Sequence, residues 1–203
     1  MIEVDESELP TNTRHDGASR GLSWLLAVGG AVGLVASFTL TYEKLELLEN
    51  PDYVPSCNLN SVVSCGSVMA KEQASLFGVP NPVLGLIAFS IVVTLGVLLA
   101  SRVRLPGWVW GGLQVGVVLG IAFVLWLAYE SLYVIGALCP YCMVVWAVTW
   151  PVFFYVTLRN LRAFAPGAGI TRFVGDWHAL LLSLGYLVVV AAIVLEFGES
   201  LLG

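Results

Sequence analysis

The sequence predicts an all-α, polytopic membrane protein with five transmembrane helices. Mean hydropathy is +0.88 and only 11% of the 203 residues are charged, too few for a water-soluble surface. Charge-free apolar stretches recur five times along the chain, each near the roughly 20 residues that a helix needs to cross a hydrocarbon core of about 30 Å. The basic residues cluster between particular stretches, which gives the spans a direction. The net charge of −5 says little about partners, nothing points to nucleic acid, and no internal repeat is visible.

In chain order, residues 1–20 make a polar tail with Glu3, Asp5, Glu6, Glu8 and Asp16. The tail reads as disordered. It lacks the basic start and small-residue cleavage site of a signal peptide, so the apolar stretch from Gly21 reads as a retained anchor. The first span runs from Gly21 to Tyr42, between Arg20 and Glu43. A polar excursion over 43–80 carries Pro51, Pro55, Cys57 and Cys65. The second span lies within Asn81 to Ser101, closed by Arg102 and Arg104, and the third within Leu105 to Tyr129, entered through Pro106, Gly107 and Trp108. A short connection, Glu130 to Leu138, leads to the fourth span, from Cys139 to about Leu158. A connector over 159–176, with glycines and a proline between Ala165 and Gly169, precedes the fifth, from about Trp177 to Leu195.

Five spans put the termini on opposite sides. With the N-terminus cytoplasmic, that side holds Arg14, Arg20, Arg102, Arg104, Arg159, Arg162 and Arg172, against Lys44 and Lys71 outside. All nine Lys and Arg are then accounted for. The same orientation brings all four cysteines to the outer face, where disulfides persist. Trp108, Trp110 and Trp177 fit interfacial anchoring, whereas Trp126, Trp146 and Trp150 lie deeper.

Cys139-Pro140-Tyr141-Cys142 stands where the fourth span begins. Proline suits the first turn of a helix because it has no N–H to leave unsatisfied, so Cys139 reads as the N-cap and Cys142 as one turn inside. Residues three apart share a helix face, which brings the sulfurs within disulfide reach. The dipole and free N–H groups at a helix start favour a thiolate, the attacking form. A redox-active pair, a structural disulfide and two packed thiols all satisfy this spacing.

Cys57 and Cys65, with seven residues between them, read as a loop pair. A loop can carry sulfur between two positions while a helix-end pair stays fixed, which divides the four into a shuttle pair and a fixed pair. Val68, Met69, Ala70, Ala74, Leu76 and Phe77 then suggest a short amphipathic helix on the membrane surface, over the mouth of the bundle. Asn81 is the one amide at that depth; it either faces the interior as a functional group or caps the second span ahead of Pro82.

Other chemistries fit less well. The Cys57 to Cys65 spacing is wide for a zinc knuckle, and Met143 stands where haem attachment needs a histidine. His15 and His178 fall on the cytoplasmic side, away from the cysteines, and no carboxylate pair lies inside a span. An oxidisable pair at a helix end in apolar surroundings needs a lipid-soluble electron acceptor, which a quinone provides. Cys142, the deeper cysteine, then faces the ring, with Trp146 and Phe89 as packing partners.

Three stretches in this order carry a family resemblance: Cys57-Asn-Leu-Asn-Ser-Val-Val-Ser-Cys65-Gly-Ser-Val, Ser75-Leu-Phe-Gly-Val-Pro-Asn81-Pro-Val-Leu-Gly85 and Cys139-Pro-Tyr-Cys142. From about Gly21 to Leu158 the chain resembles the vitamin K epoxide reductase family, most closely its bacterial members. Cys-Pro-Tyr-Cys alone also occurs in glutaredoxins, which are soluble βαβ proteins. The resemblance implies a four-helix bundle around a quinone site over 21–158, with the fifth helix and a short outer tail, 177–203, as a peripheral addition. It implies an active-site disulfide of Cys139 and Cys142, with Cys142 beside the quinone and Asn81 bonding a quinone oxygen. It also implies that Cys57 and Cys65 relay electrons from a thioredoxin-like partner. Many bacterial members carry that partner as a fused C-terminal domain; here only Ser200 to Gly203 follow the last charge, so a separate partner protein is expected. Two positions depart from the family. Trp146 stands where vertebrate members have a tyrosine, and Lys71 where many have a serine.

The expected activity is that of a thiol:quinone oxidoreductase in the cell membrane, supporting disulfide formation in exported proteins. The partner's dithiol reduces the loop pair, with Cys57 meeting the partner and Cys65 meeting Cys139. The loop pair then reduces Cys139–Cys142, and the Cys142 thiolate adds to a menaquinone or ubiquinone. The alternatives are epoxide and quinone reduction in the vertebrate sense, and a membrane scaffold with structural disulfides.

Overall fold

A computed structural model describes residues 18–50, 52–60, 62–71, 74–76 and 78–202. Most of the acidic tail lies outside the described residues. Among the described residues, five helices are long and apolar enough to cross a membrane: α1 (Arg20–Glu49), α3 (Asn81–Ala100), α4 (Gly107–Ile135), α5 (Pro140–Phe164) and α7, whose spanning part is His178–Gly198. Between α1 and α3 lie a short helix α2 (Cys65–Met69) and a two-stranded hairpin of β1 (Ser75–Leu76) and β2 (Val79–Pro80). An amphipathic helix α6 (Gly169–Asp176) precedes α7. The chain is an all-α, multi-pass membrane protein.

Helices α1, α4, α5 and α7 outrun their charge-free stretches. Charge is excluded only from the hydrocarbon, so a helix continues beyond it wherever its residues allow. The first span was expected to end at Tyr42, but α1 continues to Glu49 and buries Glu43. The expected connection from Glu130 instead prolongs the third helix as a π-helical stretch, Glu130–Ile135, stopped by Gly136 in the left-handed region. The connector 159–176 is largely helical, completing α5 and forming α6. The surface helix expected over 68–77 is only Cys65–Met69, after which the chain turns into the hairpin at Gly78, whose φ is +76°. A side chain is strained there, and glycine makes the turn. Phe77 lies outside the described residues.

Helices α1, α3, α4 and α5 pack together. Small residues bring α1 and α3 close: a Cβ on Gly33 would run into the Phe89 ring, and one on Gly96 into the Ala27 backbone. A first apolar core at one end contains Leu26, Val92, Leu99, Trp110 and Val156. Trp110, expected at the interface, is buried under Arg159, whose guanidinium lies 3.8 Å from its ring centroid. Asn160 beside it donates to Gln114 (2.9 Å) and to the Trp110 carbonyl (3.3 Å), tying α5 to α4. Trp108 and Trp177 are exposed, as anchoring requires.

Helix α7 sits at the edge. Only 6% of its most apolar window is buried, and its seam is narrow: the Trp150 ring lies against Gly185, and the Tyr186 hydroxyl donates to the Ala147 carbonyl (2.6 Å). Its remaining apolar surface suits lipid.

Candidate active site

The site lies at the opposite end from the Trp110 core, where Leu40, Cys57, Cys65, Met69 and Cys139 form a buried cluster. Four elements meet there: the end of α1, the loop over 52–64, helix α2 and the start of α5.

Cys139 is the N-cap of α5 and Pro140 its first residue, as expected, with Cys142 one turn in. Cys139 is 1% exposed and Cys142 is half-buried; both are free thiols. The Cys139 thiol is held below its ordinary value, chiefly because the Cys142 side chain donates to it. Backbone N–H groups of Cys142 and Tyr141 add to this, and together they outweigh burial and the charge of Glu43, which push it up.

Cys57 and Cys65 are disulfide-bonded, with Cα atoms 5.6 Å apart. The Cys65 sulfur also lies 3.1 Å from the Cys139 sulfur. Three of the four sulfurs are thus in successive contact, and the Cys142 side chain meets the Cys139 sulfur.

Local polar bonds in the loop produce this arrangement. Asn60 Oδ1 accepts from the N–H groups of Val62 (2.9 Å) and Val63 (2.7 Å), closing a turn. Asn58 Oδ1 accepts from Ser64 Oγ and from the Gly66 N–H, each at 2.9 Å. The Ser64 hydroxyl caps α2 by accepting from the Ser67 N–H at 3.1 Å. A parallel bridge between Val63 and Leu138 then fixes the loop to the residue before Cys139: Leu138 N–H donates to Val62 O (2.7 Å) and Ser64 N–H to Leu138 O (2.9 Å).

The loop pair is therefore less mobile in form than its sequence implies. Cys65 opens a helix rather than sitting in a loop, and both sulfur-bearing residues are buried, Cys57 at 4% and Cys65 at 0%. The Cys57 side is held by Glu43, a residue read from sequence only as the boundary of the first span. Its carboxylate accepts from the Tyr53 hydroxyl (3.0 Å) and the Ser56 hydroxyl (2.5 Å), and from the Ser56 N–H (3.3 Å). Lys44 Nζ donates to the Met69 carbonyl (2.6 Å), joining α1 to the end of α2. His178 is remote from the cysteines, with Nδ1 2.8 Å from the Gly175 carbonyl oxygen.

A cavity of about 720 Å³ lies among the four helices beneath this cluster, in the size range of small-molecule sites. Asn81, Phe89, Cys139, Cys142 and Trp146 all line it, so the expected cofactor contacts share one space. Asn81, buried, is the first residue of α3, with Pro82 after it. The walls are otherwise almost entirely apolar, with Ser37, Glu130, Ser131 and Thr149 among the few polar groups. Glu130 was not singled out by the sequence; its signal is a lone acid in an apolar run nine residues before Cys139. The cavity's size, apolar walls and few polar groups fit a quinone ring and the start of its tail.

Residues 24–157 match a family model described as the vitamin K epoxide reductase family. No curated protein matches the chain.

Proposed function

The chain belongs to the vitamin K epoxide reductase family, a membrane oxidoreductase on that ground, and from this we propose that it oxidises a dithiol partner and reduces a quinone. The observation that carries the reading is the 3.1 Å separation between Cys139 and the disulfide-bonded Cys65. Purely structural disulfides need no free thiol pressed against them.

Electrons enter at the loop pair. A thiolate of a thioredoxin-like partner on the outer face attacks Cys57, and resolution of the mixed disulfide releases the oxidised partner and leaves Cys57 and Cys65 reduced. The Cys65 thiolate then attacks Cys139 in the Cys139–Cys142 disulfide, and Cys57 closes on Cys65 to free both thiols. The result is the state described here, with Cys57–Cys65 oxidised and Cys139 and Cys142 as thiols. A bound menaquinone or ubiquinone supplies an acceptor for two electrons and two protons. Among the residues lining the cavity, Cys142 would face it, Asn81 would orient it by hydrogen bonding, and Phe89 and Trp146 would hold the ring. Cys139 and Cys142 close their disulfide as those electrons leave.

Cys57 is buried, so the partner reaches its sulfur by opening the loop, whose adjoining residues Tyr53 and Ser56 are held by Glu43. The excess of arginine on one side supports an orientation with the N-terminus cytoplasmic and the cysteines outside the cell membrane. That location suits disulfide formation in exported proteins. The test is absorbance-monitored quinone reduction by purified protein with a reduced thioredoxin-like protein. Activity in wild type and none in Cys142→Ala supports the reading; activity retained in Cys142→Ala overturns it.

A further inference from the structure

We propose that Glu130 is a catalytic residue of the quinone site, a carboxyl that hydrogen-bonds the bound ring and passes a proton to it. The proposal rests on the quinone reading above and names a contact that reading leaves open.

Three observations converge on Glu130. Its side chain lines the same cavity as Asn81, Cys139 and Cys142. Its Oε2 is buried and has no hydrogen-bond partner among the described residues. Buried polar atoms are rarely left so, and an orphan facing a cavity is available to a ligand. Glu130 also opens the π-helical stretch Glu130–Ile135, a distortion that breaks the α-helical register and recurs at functional sites. An acid at membrane depth is costly, and a place on a cavity wall is the usual reason for keeping one.

The chemistry has a place for it. When Cys139 and Cys142 form their disulfide, two S–H bonds break, and two electrons and two protons leave. Quinol formation takes up both electrons and both protons as two O–H bonds. Asn81 can donate a hydrogen bond but has no proton to transfer, Trp146 offers only its indole N–H, and the Lys44 ammonium, also on the cavity wall, is engaged by the Met69 carbonyl. Glu130 gives one proton to a ring oxygen and recovers one from the thiols, so its own state is unchanged over the cycle. Proton transfer by a placed side chain is worth about 10²- to 10⁴-fold in rate.

The test uses the full chain in detergent or liposomes, with decylubiquinone and menadione as probes. A hydrophobic carbodiimide, which modifies carboxyls in apolar surroundings, is applied with and without quinone, and the labelled peptide is read by mass spectrometry. Expected are labelling at Glu130 and its suppression by quinone. In steady state, Glu130→Gln is expected to lose about 100-fold in kcat with KM changed less than about threefold, since the amide still hydrogen-bonds but carries no proton. Glu130→Asp, which keeps the carboxyl, is expected to retain more kcat than Glu130→Gln. Quinone-insensitive labelling, or Glu130→Gln turning over within about twofold of wild type, overturns the proposal and leaves the quinone reading standing. Wild type that reduces neither quinone overturns both.

Discussion

The sulfur of Cys65, already bonded to Cys57, stands 3.1 Å from the sulfur of Cys139. The Val63–Leu138 bridge fixes the two chain segments beside each other, so exchange between these sulfurs needs no rearrangement of the backbone. In a Cys57→Ala, Cys142→Ala double variant, a mild oxidant should therefore close a Cys65–Cys139 disulfide in nearly every molecule. The complementary variant, retaining only Cys57 and Cys142, should stay reduced. Peptide mapping by mass spectrometry reads both, and a Cys57–Cys142 bond forming as readily would contradict the pairing.

The Cys139 thiol is held low mainly by the Cys142 side chain. In the reverse of the relay step Cys139 attacks Cys65 of the Cys57–Cys65 disulfide, and thiolate is the attacking form, so this exchange should speed up as pH rises. It should level off at a lower pH than exchange by an unperturbed thiol. Cys142→Ser keeps a hydroxyl donor and should preserve this profile, whereas Cys142→Ala loses the donor and should move it to higher pH. The measurement is the rate of Cys65–Cys139 bond formation against pH in the two variants. Superimposed profiles would remove Cys142 as the cause.

Glu43 latches the Cys57 side of the loop through Tyr53 and Ser56. These part-buried hydrogen bonds hold the loop on the end of α1, so part of what is lost with them should appear as easier loop opening. Glu43→Ala should thus expose Cys57 and let dithiothreitol reduce Cys57–Cys65 about tenfold faster or more, following timed alkylation. An unchanged rate would show that the latch does not limit access.

Gly96 lets α3 rest on the Ala27 backbone of α1. A methyl group there meets backbone, which cannot rotate away, so Gly96→Ala should destabilise the bundle by about 1–3 kcal/mol. At Gly120 the nearest atom to a new Cβ is 4.0 Å away, so Gly120→Ala should be near neutral or slightly stabilising. Thermal unfolding in detergent separates the two.

The spans were legible because hydropathy acts along each helix separately, and the start of α5 because Pro140 and the flanking cysteines carry a local capping signal. What the sequence hid depends on contacts between distant segments. The Val63–Leu138 bridge joins residues 75 positions apart with no local mark. Glu43 looked like the end of a span because a charge usually marks one; only the folded loop reveals it as an acceptor. Trp110 looked interfacial by its place near a helix start, but Arg159, from another helix, covers it. Glu130 was hidden by the same boundary rule as Glu43, because a charge cut the third span short of its π-helical end.

Counting electrons tests the relay most directly. Fully reduced protein, freed of dithiol and mixed anaerobically with excess quinone, holds four thiols, Cys57, Cys65, Cys139 and Cys142, which is two disulfides' worth of electrons. Wild type should yield about two quinols per chain, a Cys57→Ala, Cys65→Ala double variant about one, and Cys142→Ala none. One quinol from wild type would show that the loop pair does not feed Cys139, and quinol from Cys142→Ala would contradict the assignment of Cys142 as the cysteine that meets the quinone.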